Sequence, residues 1–279
     1  MAKGIAEYWA NFLIWDHNAK EYYTPKTWGA SEGGMHNNPL DAVLAAKKCL
    51  RAAAKYARML EVDKDMAEKW EFMDKNIQLP RNENGYVAYR GHDGAIPEDG
   101  SGYNGIRYMN AANFVNQELL HELDAKNVSD LLGRISKSNR FGTGFAVFHS
   151  AQTATAECLF GRGDSALGYL NGVLRAYDPS GTCLRECEDR PMIYFLTNTD
   201  AYLLAPLFMM MQTSGGRIKP FPAMPSSWKN AAFYNLPAEG GIKVSGKMEN
   251  GKVKWVRFFK KGKMVKETNL LKEVKVADL

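Results

Sequence analysis

Apolar residues recur at helical spacing through most of the chain and at alternating spacing near its end. Ile5, Tyr8, Trp9, Phe12 and Leu13 fall on one face of an amphipathic helix. Residues 39–60, rich in Ala and Leu with a basic polar face, predict a long helix, and Asp63 is placed to cap a helper helix running to about residue 77. Helical patterns return at about 110–124, 127–138, 146–160 and 163–177. A last helix, 200–212, is apolar on nearly every face (Leu203, Leu204, Leu207, Phe208, Met209), which predicts a central, buried position. Its run of methionines suits core packing better than a cofactor. Two long polar stretches, 79–107 and 178–198, interrupt this pattern. Loops of such length are commonly functional.

The pattern changes after Gly215 and Gly216. Pro220, Pro222 and Pro225 forbid helix, and Trp228 follows. Alternating segments at 242–248, 252–259 and 263–268, joined by Asn-Gly and Lys-Gly turns, predict a β-meander. Two domains are therefore expected: a helical one at 1–214 and a β-sandwich-like one at 215–279. Two or three strands need further strands or helices to pack upon.

Composition changes this picture little. The chain has 279 residues, 45% hydrophobic and 24% charged, and its mean hydropathy is −0.38. No apolar run approaches the roughly 18 residues of a membrane span, so no membrane partner is expected. No basic segment followed by an apolar one opens the chain, so no signal peptide is visible. The net charge of +5 is concentrated after residue 240. By simple alternation Val253, Trp255 and Arg257 share one parity, and Lys252, Lys254, Val256 and Phe258 the other. That separation reads as a solvated strand face and not as a nucleic-acid platform. The four cysteines form no zinc pattern, since Cys183 and Cys187 lack a second pair, and neither metal nor cofactor is expected. Cys49 and Cys158 lie among helix-core residues and read as buried thiols.

The densest candidate chemistry is at 27–39, Thr-Trp-Gly-Ala-Ser-Glu-Gly-Gly-Met-His-Asn-Asn-Pro. It holds one carboxylate, Glu32, among small residues and near Trp28, just ahead of a helix. A general acid must keep its proton near neutral pH, which needs an enclosed, partly apolar setting. A tryptophan offers that enclosure and a flat face for a sugar ring. The plain alternative is a helix start, with Asn38 as N-cap and Pro39 in the first turn. His149 suits either a substrate contact or a core histidine, while Arg140, Gln152 and Glu157 carry no special signal.

Four segments resemble the C-terminal half of the (α/α)₆-barrel glycoside hydrolases, the group of inverting α-L-fucosidases and maltose or kojibiose phosphorylases. They are the helix–loop–helix around Glu32, "TGFAVFHSAQTATAECLFGRGDSAL", "FLTNTDAYLLAPLFMMMQTS", and "IKPFPAMPSSW" with "LPAEGGIKVSG". The resemblance implies a mainly α fold of toroid-type helical hairpins, a partial barrel, followed by a small antiparallel β element. It implies a glycoside hydrolase, inverting an α-linkage of an oligosaccharide or polysaccharide side chain, with Glu32 as acid. Asn37 and Asn38 match an Asn pair lining the family's site, and Trp28 and His149 join them as substrate-binding candidates. The family's base, an Asp, falls on Thr197 or Asn198, so Asp200 is ranked first as base and Glu188 second. No Ser-rich Gly-Gly segment precedes the final helix, which favours hydrolysis over phosphorolysis.

About seven or eight helices stand where the family has twelve. The expectation is a truncated form, with open apolar faces for a missing N-terminal half, a partner chain or a second copy. Relatives of this type act on exported or imported glycans, which implies a periplasmic or secreted setting. The alternative is a catalytically incomplete carbohydrate-binding or scaffold protein that keeps the glycosidase fold. A helical interaction module without sugar chemistry is the third reading.

Overall fold

The computed structural model describes residues 1–28, 35–83, 85–91, 147–177, 184–185, 196–270 and 272–279, without the side chains of 147–149 and 197. Their contacts form two compact units, Met1–Val115 with Leu123–Asn139 and Asn116–Glu122 with Arg140–Leu279.

The expected mainly α toroid is not what the chain forms. The described residues mix six α-helices with eleven strands in four antiparallel sheets. Two of these sheets are small hairpins set among the helices that alternation did not suggest, because each strand is only two or three residues long. The others are a four-stranded and a three-stranded sheet near the C-terminus.

In the first unit α1 (Ala2–Phe12) leads into the hairpin β1 (Ile14–Asp16) and β2 (Glu21–Tyr23). The long helix α2 (Leu40–Leu60) and α3 (Lys64–Lys75) follow, then the hairpin β3 (Arg81–Asn82) and β4 (Gly85–Tyr86). Alanines 46, 53, 54 and 57 with Leu50 give α2 a smooth apolar face, and Trp70 and Met73 of α3 join the same core without solvent exposure or nearly so. Asp63 stands at the start of α3 but makes no side-chain cap. Its carboxylate accepts instead from Lys3 Nζ at 2.7 Å, which ties α1 to the α2–α3 turn.

Three buried charges cross this helix pair. Asp74 accepts from Arg51 Nε at 2.9 Å and Nη2 at 2.8 Å, and Lys47 Nζ lies 3.2 Å from its other oxygen. Lys47 also donates to the Asp74 carbonyl. All three side chains are largely buried, and two cations converging on one carboxylate make the burial tolerable.

In the second unit α4 (Val147–Leu159), α5 (Gly163–Val173) and α6 (Leu196–Met210) form a helical layer around Ala154, Cys158, Ala166, Leu170, Ala205 and Met209. Helix α6 begins four residues earlier than the apolar run suggested and passes directly into strand β5 (Met211–Ser214). It is not buried all round: Ala205 and Met209 are enclosed, while Leu196, Leu203, Leu204 and Leu207 are exposed. Its neighbours in this unit, chiefly α4, lie on one side of it.

Strand β5 pairs with β6 (Arg217–Pro220), and β6 with β11 (Val274–Lys275). The larger sheet has the order β10 (Lys263–Thr268), β9 (Lys252–Lys260), β8 (Ile242–Glu249), β7 (Ala231–Ala238). The meander is as alternation predicts, and β7 supplies the additional strand it needed. Asn250 and Gly251 both have positive φ, 51° and 71°, the geometry of a tight hairpin turn whose twist matches the strands it joins. Ile218, Phe221, Phe233, Val244, Val256 and Phe258 from both sheets fill one apolar layer. The proline-rich segment between β6 and β7 lies on the helices: Ser226 N donates to Asp164 Oδ1 at 2.7 Å, and a Cβ at Gly163 would collide with the backbone of Ala223 and Met224.

Candidate functional site

The loop that carries Glu32 is fixed at its root. Residues 29–34, and Glu32 with them, lie outside the described residues. Thr27 and His36 on either side exchange two backbone hydrogen bonds, at 3.0 and 2.9 Å. Next to this bridge Asn38 is fully buried in a left-handed conformation with φ 47°, which Asn accepts more readily than most residues. Its carboxamide oxygen accepts from Thr24 N at 2.6 Å, its own N–H donates to Thr24 Oγ1 at 2.9 Å, and Nδ2 donates to Gln78 Oε1 at 2.9 Å. Asn38 therefore locks the loop stem to the strand before it and is not a helix cap: helix α2 begins at Leu40 with Pro39 in the cap position.

Further bonds hold the other side of the stem. Arg90 N donates to the Asn37 carbonyl at 3.0 Å and Leu40 N to the Ala88 carbonyl at 2.9 Å. The His36 ring stacks on Tyr89 with centroids 3.7 Å apart and planes 17° from parallel. Trp28 leaves the bridge with 52% of its surface exposed. A bridged stem, two stacked rings and an exposed indole thus stand among the described residues on either side of 29–34. Such a frame can hold a proton donor beside a flat, C–H-rich ligand face.

The candidates for a second carboxylate are in different settings. Asp200 is exposed in the second turn of α6, and it belongs to the second unit while residues 27–39 belong to the first. Glu188 lies outside the described residues, as do Glu186 and the cysteines 183 and 187. Asn198, one of the two positions on which the family's Asp falls, is fully buried, and its Nδ2 donates to the Arg185 carbonyl at 2.7 Å. Its Oδ1 is buried and has no hydrogen-bond partner among the described residues. His149 is placed within α4, but its side chain is outside the described residues.

Sequence reasoning passed over Glu157. It lies on the core side of α4 with 1% of its surface exposed, and its Oε2 ion-pairs with Arg162 Nη1 at 3.5 Å. Burial pushes its carboxyl above the ordinary glutamate range, against the opposing pull of Arg162 and a hydrogen bond from Ser165. Burial and the nearby Glu157 charge push the Cys158 thiol up to about 12, and the same two causes raise Tyr169. The signal was present: a Glu between Ala154, Ala156 and Cys158 on an apolar face is the informative exception in such a helix. Arg162 five residues on is its partner. The arrangement joins the end of α4 to the start of α5.

Among the described residues no three His, Cys, Asp or Glu side chains converge as a metal site would require. Among the described residues no helix is long and apolar enough to cross a membrane. Comparison with known proteins found no family model and no curated protein that matches the chain.

Proposed function

We propose that the protein is a carbohydrate-active protein of the glycoside hydrolase type, with Glu32 as general acid. The observation that carries this reading is the two-way Thr27–His36 bridge between the residues that precede and follow the segment containing Glu32. A general acid works only if its carboxyl is held within hydrogen-bond reach of the leaving oxygen. The bridge, the buried Asn38 and the His36–Tyr89 stack provide a fixed base for that loop. Trp28 provides a ring face at its side.

In the reaction Glu32 gives its proton to the glycosidic oxygen as the bond from the anomeric carbon breaks. Water attacks that carbon from the opposite face and passes a proton to a second carboxylate, so the configuration inverts. The substrate class is an α-linked oligosaccharide or polysaccharide side chain.

The test is hydrolysis of a panel of α-linked aryl glycosides and oligosaccharides, read as released sugar. The Glu32→Gln variant should lose about 10²–10⁴-fold in rate while oligosaccharides still change its tryptophan fluorescence. A Glu32→Gln variant as active as the parent chain would remove the acid from the mechanism.

One observation favours a second reading, a carbohydrate-binding protein without catalysis. Asn198 puts a buried carboxamide where the family pattern calls for a carboxylate, held by the Arg185 carbonyl. That reading expects sugar binding without hydrolysis in the parent chain and in Glu32→Gln alike.

A further inference from the structure

The outer face of the four-stranded sheet carries a group of side chains that no structural need explains. Strand register decides which residues share it. Val244, Gly246 and Met248 of β8 pair with Phe258, Val256 and Val253 of β9 and face the core. Lys247 pairs with Trp255, and the next pair is Met248 with Val253, so Lys254 is an extra residue in β9. This bulge turns Val253 inward and leaves Trp255 and Arg257 on the outer face with Lys243 and Lys247. Trp255 and Arg257, which lie beyond the bulge and share one parity, thus stand on one surface with the lysines of β8, and Val253 alone leaves it.

Tyr234 of β7 extends this face from across β8. Its ring is 63% exposed and its centroid lies 6.2 Å from that of Trp255. The Arg257 guanidinium sits 4.4 Å from the Trp255 centroid, and its Nε donates to Glu267 at 2.8 Å. Trp255 and Glu267 therefore fix the orientation of Arg257. Lys247, which pairs with Trp255 of β9, also borders an open groove of about 500 Å³ with Asn230, Ala232, Glu249 and Asn250. In it Lys247 Nζ lies 2.6 Å from Glu249 and Lys254 Nζ 3.9 Å from the same carboxylate.

The surrounding charge is strongly positive. Residues 241–279 hold ten lysines and one arginine against four acids, a net +7 in a chain whose total is +5. On the face itself Lys243, Lys247, Lys254 and Arg257 outnumber Glu249 and Glu267.

We propose that this face binds an acidic oligosaccharide, such as a uronate-bearing chain. Tyr234 stacks on a pyranose, Lys243, Lys247 and Arg257 receive the carboxylates, and the amides of Asn230 and Asn250 with Glu249 bond the hydroxyls. A Lys–Glu pair and carboxamides present both donors and acceptors, which vicinal hydroxyls require. The charge surplus selects a polyanion over a neutral sugar. Single-stranded nucleic acid needs a row of open ring faces for successive bases. Here one ring stands open while Arg257 covers the other, and that suits one sugar residue with polar contacts around it. The site stands on the sheet alone and needs no chemistry at Glu32.

The experiment measures affinity of the full chain for polygalacturonate oligomers, a neutral glucan oligomer and oligodeoxythymidylate, at low and high ionic strength. Polygalacturonate should bind best, and weaken as salt rises. Tyr234→Ala should weaken it by about tenfold, and the double change Lys243→Gln, Lys247→Gln at least as much. Melting temperatures should change little, because Tyr234 and Lys243 are exposed and the Lys247–Glu249 pair lies at the surface, where an ion pair adds little stability. Glu32→Gln should bind as the parent chain does, which separates this site from the proposed catalytic one. No binding to polygalacturonate, or binding indifferent to Tyr234→Ala, would overturn the proposal. So would equal binding of the neutral glucan, or tighter binding of the oligonucleotide.

Discussion

Two buried carboxylates, Asp74 and Glu157, differ in how their charge is met. Asp74, between α2 and α3, receives Arg51 through two nitrogens and Lys47 at its other oxygen. Glu157, at the end of α4, has one arginine at 3.5 Å, and that arginine is about one third exposed. The first is a closed ion triad with a net positive charge. The second is a carboxyl whose burial outweighs its partners, so that its proton is held more tightly than usual. Depth alone therefore does not say what a buried acid does to stability; the number and reach of its partners do.

The comparison breaks most readily at Asp74. Asp74→Asn leaves Lys47 and Arg51 buried without an anion, and the expected loss is about 3–5 kcal/mol of stability, measured by urea unfolding. A loss below about 1 kcal/mol would mean that the triad adds nothing beyond packing.

Asn38→Ala comes next. It removes a buried carboxamide that serves both Thr24 and Gln78 and leaves the Thr24 N–H without its acceptor. The expected cost is about 1–3 kcal/mol, again by urea unfolding. Proteolysis should then begin at the 27–36 loop; unchanged cleavage there would show that the bridge holds the loop unaided.

Glu157 makes a smaller, pH-dependent difference. Because its folded carboxyl titrates above its unfolded one, the folded chain binds more protons in between. Its contribution to stability is fully present below the ordinary glutamate range and is lost as pH rises through the raised folded value. Glu157→Gln should flatten that fall in a series of melts from acid to neutral pH, and an unchanged slope would assign it to another group.

The smallest effect is chemical. Cys158, pushed up to about 12, should resist thiol reagents at mildly alkaline pH until the protein unfolds. Half-exposed Cys49 should react sooner, although burial raises it too. Equal rates for the two in the folded protein would contradict the burial of the α4–α6 core.

Much of the fold was legible because its signals are local. Apolar spacing marked α1 and α2, and Asn-Gly and Lys-Gly turns marked the β8–β9–β10 meander. Strands β1 to β4 were not legible, since two or three residues hold no measurable period. Nor was the one-sided burial of α6, because an apolar helix does not announce how many neighbours it will have. In the candidate site, 27–39 stood out by composition, but the role of Asn38 did not: local reasoning made it a cap, and Thr24 and Gln78 recruited it elsewhere. Glu157 was visible as a residue and missed as a group, because its partner Arg162 acts through space.

The sequence by itself determined where α1 and α2 run, where the chain turns from helical to strand periodicity, and that its positive charge gathers after residue 240, while the helices expected at 110–124 and 127–138 lie outside the described residues. Those are properties of neighbours along the chain. Only the tertiary structure decided which buried acid is fully paired, how the residues on either side of 29–34 are tied together, and that the pairing of β8 with β9 sets Trp255 and Arg257 on one face with Lys247 while a bulge at Lys254 turns Val253 inward. Each of these depends on partners eight to forty residues apart, and a register shifted by a single residue reverses which face a side chain takes.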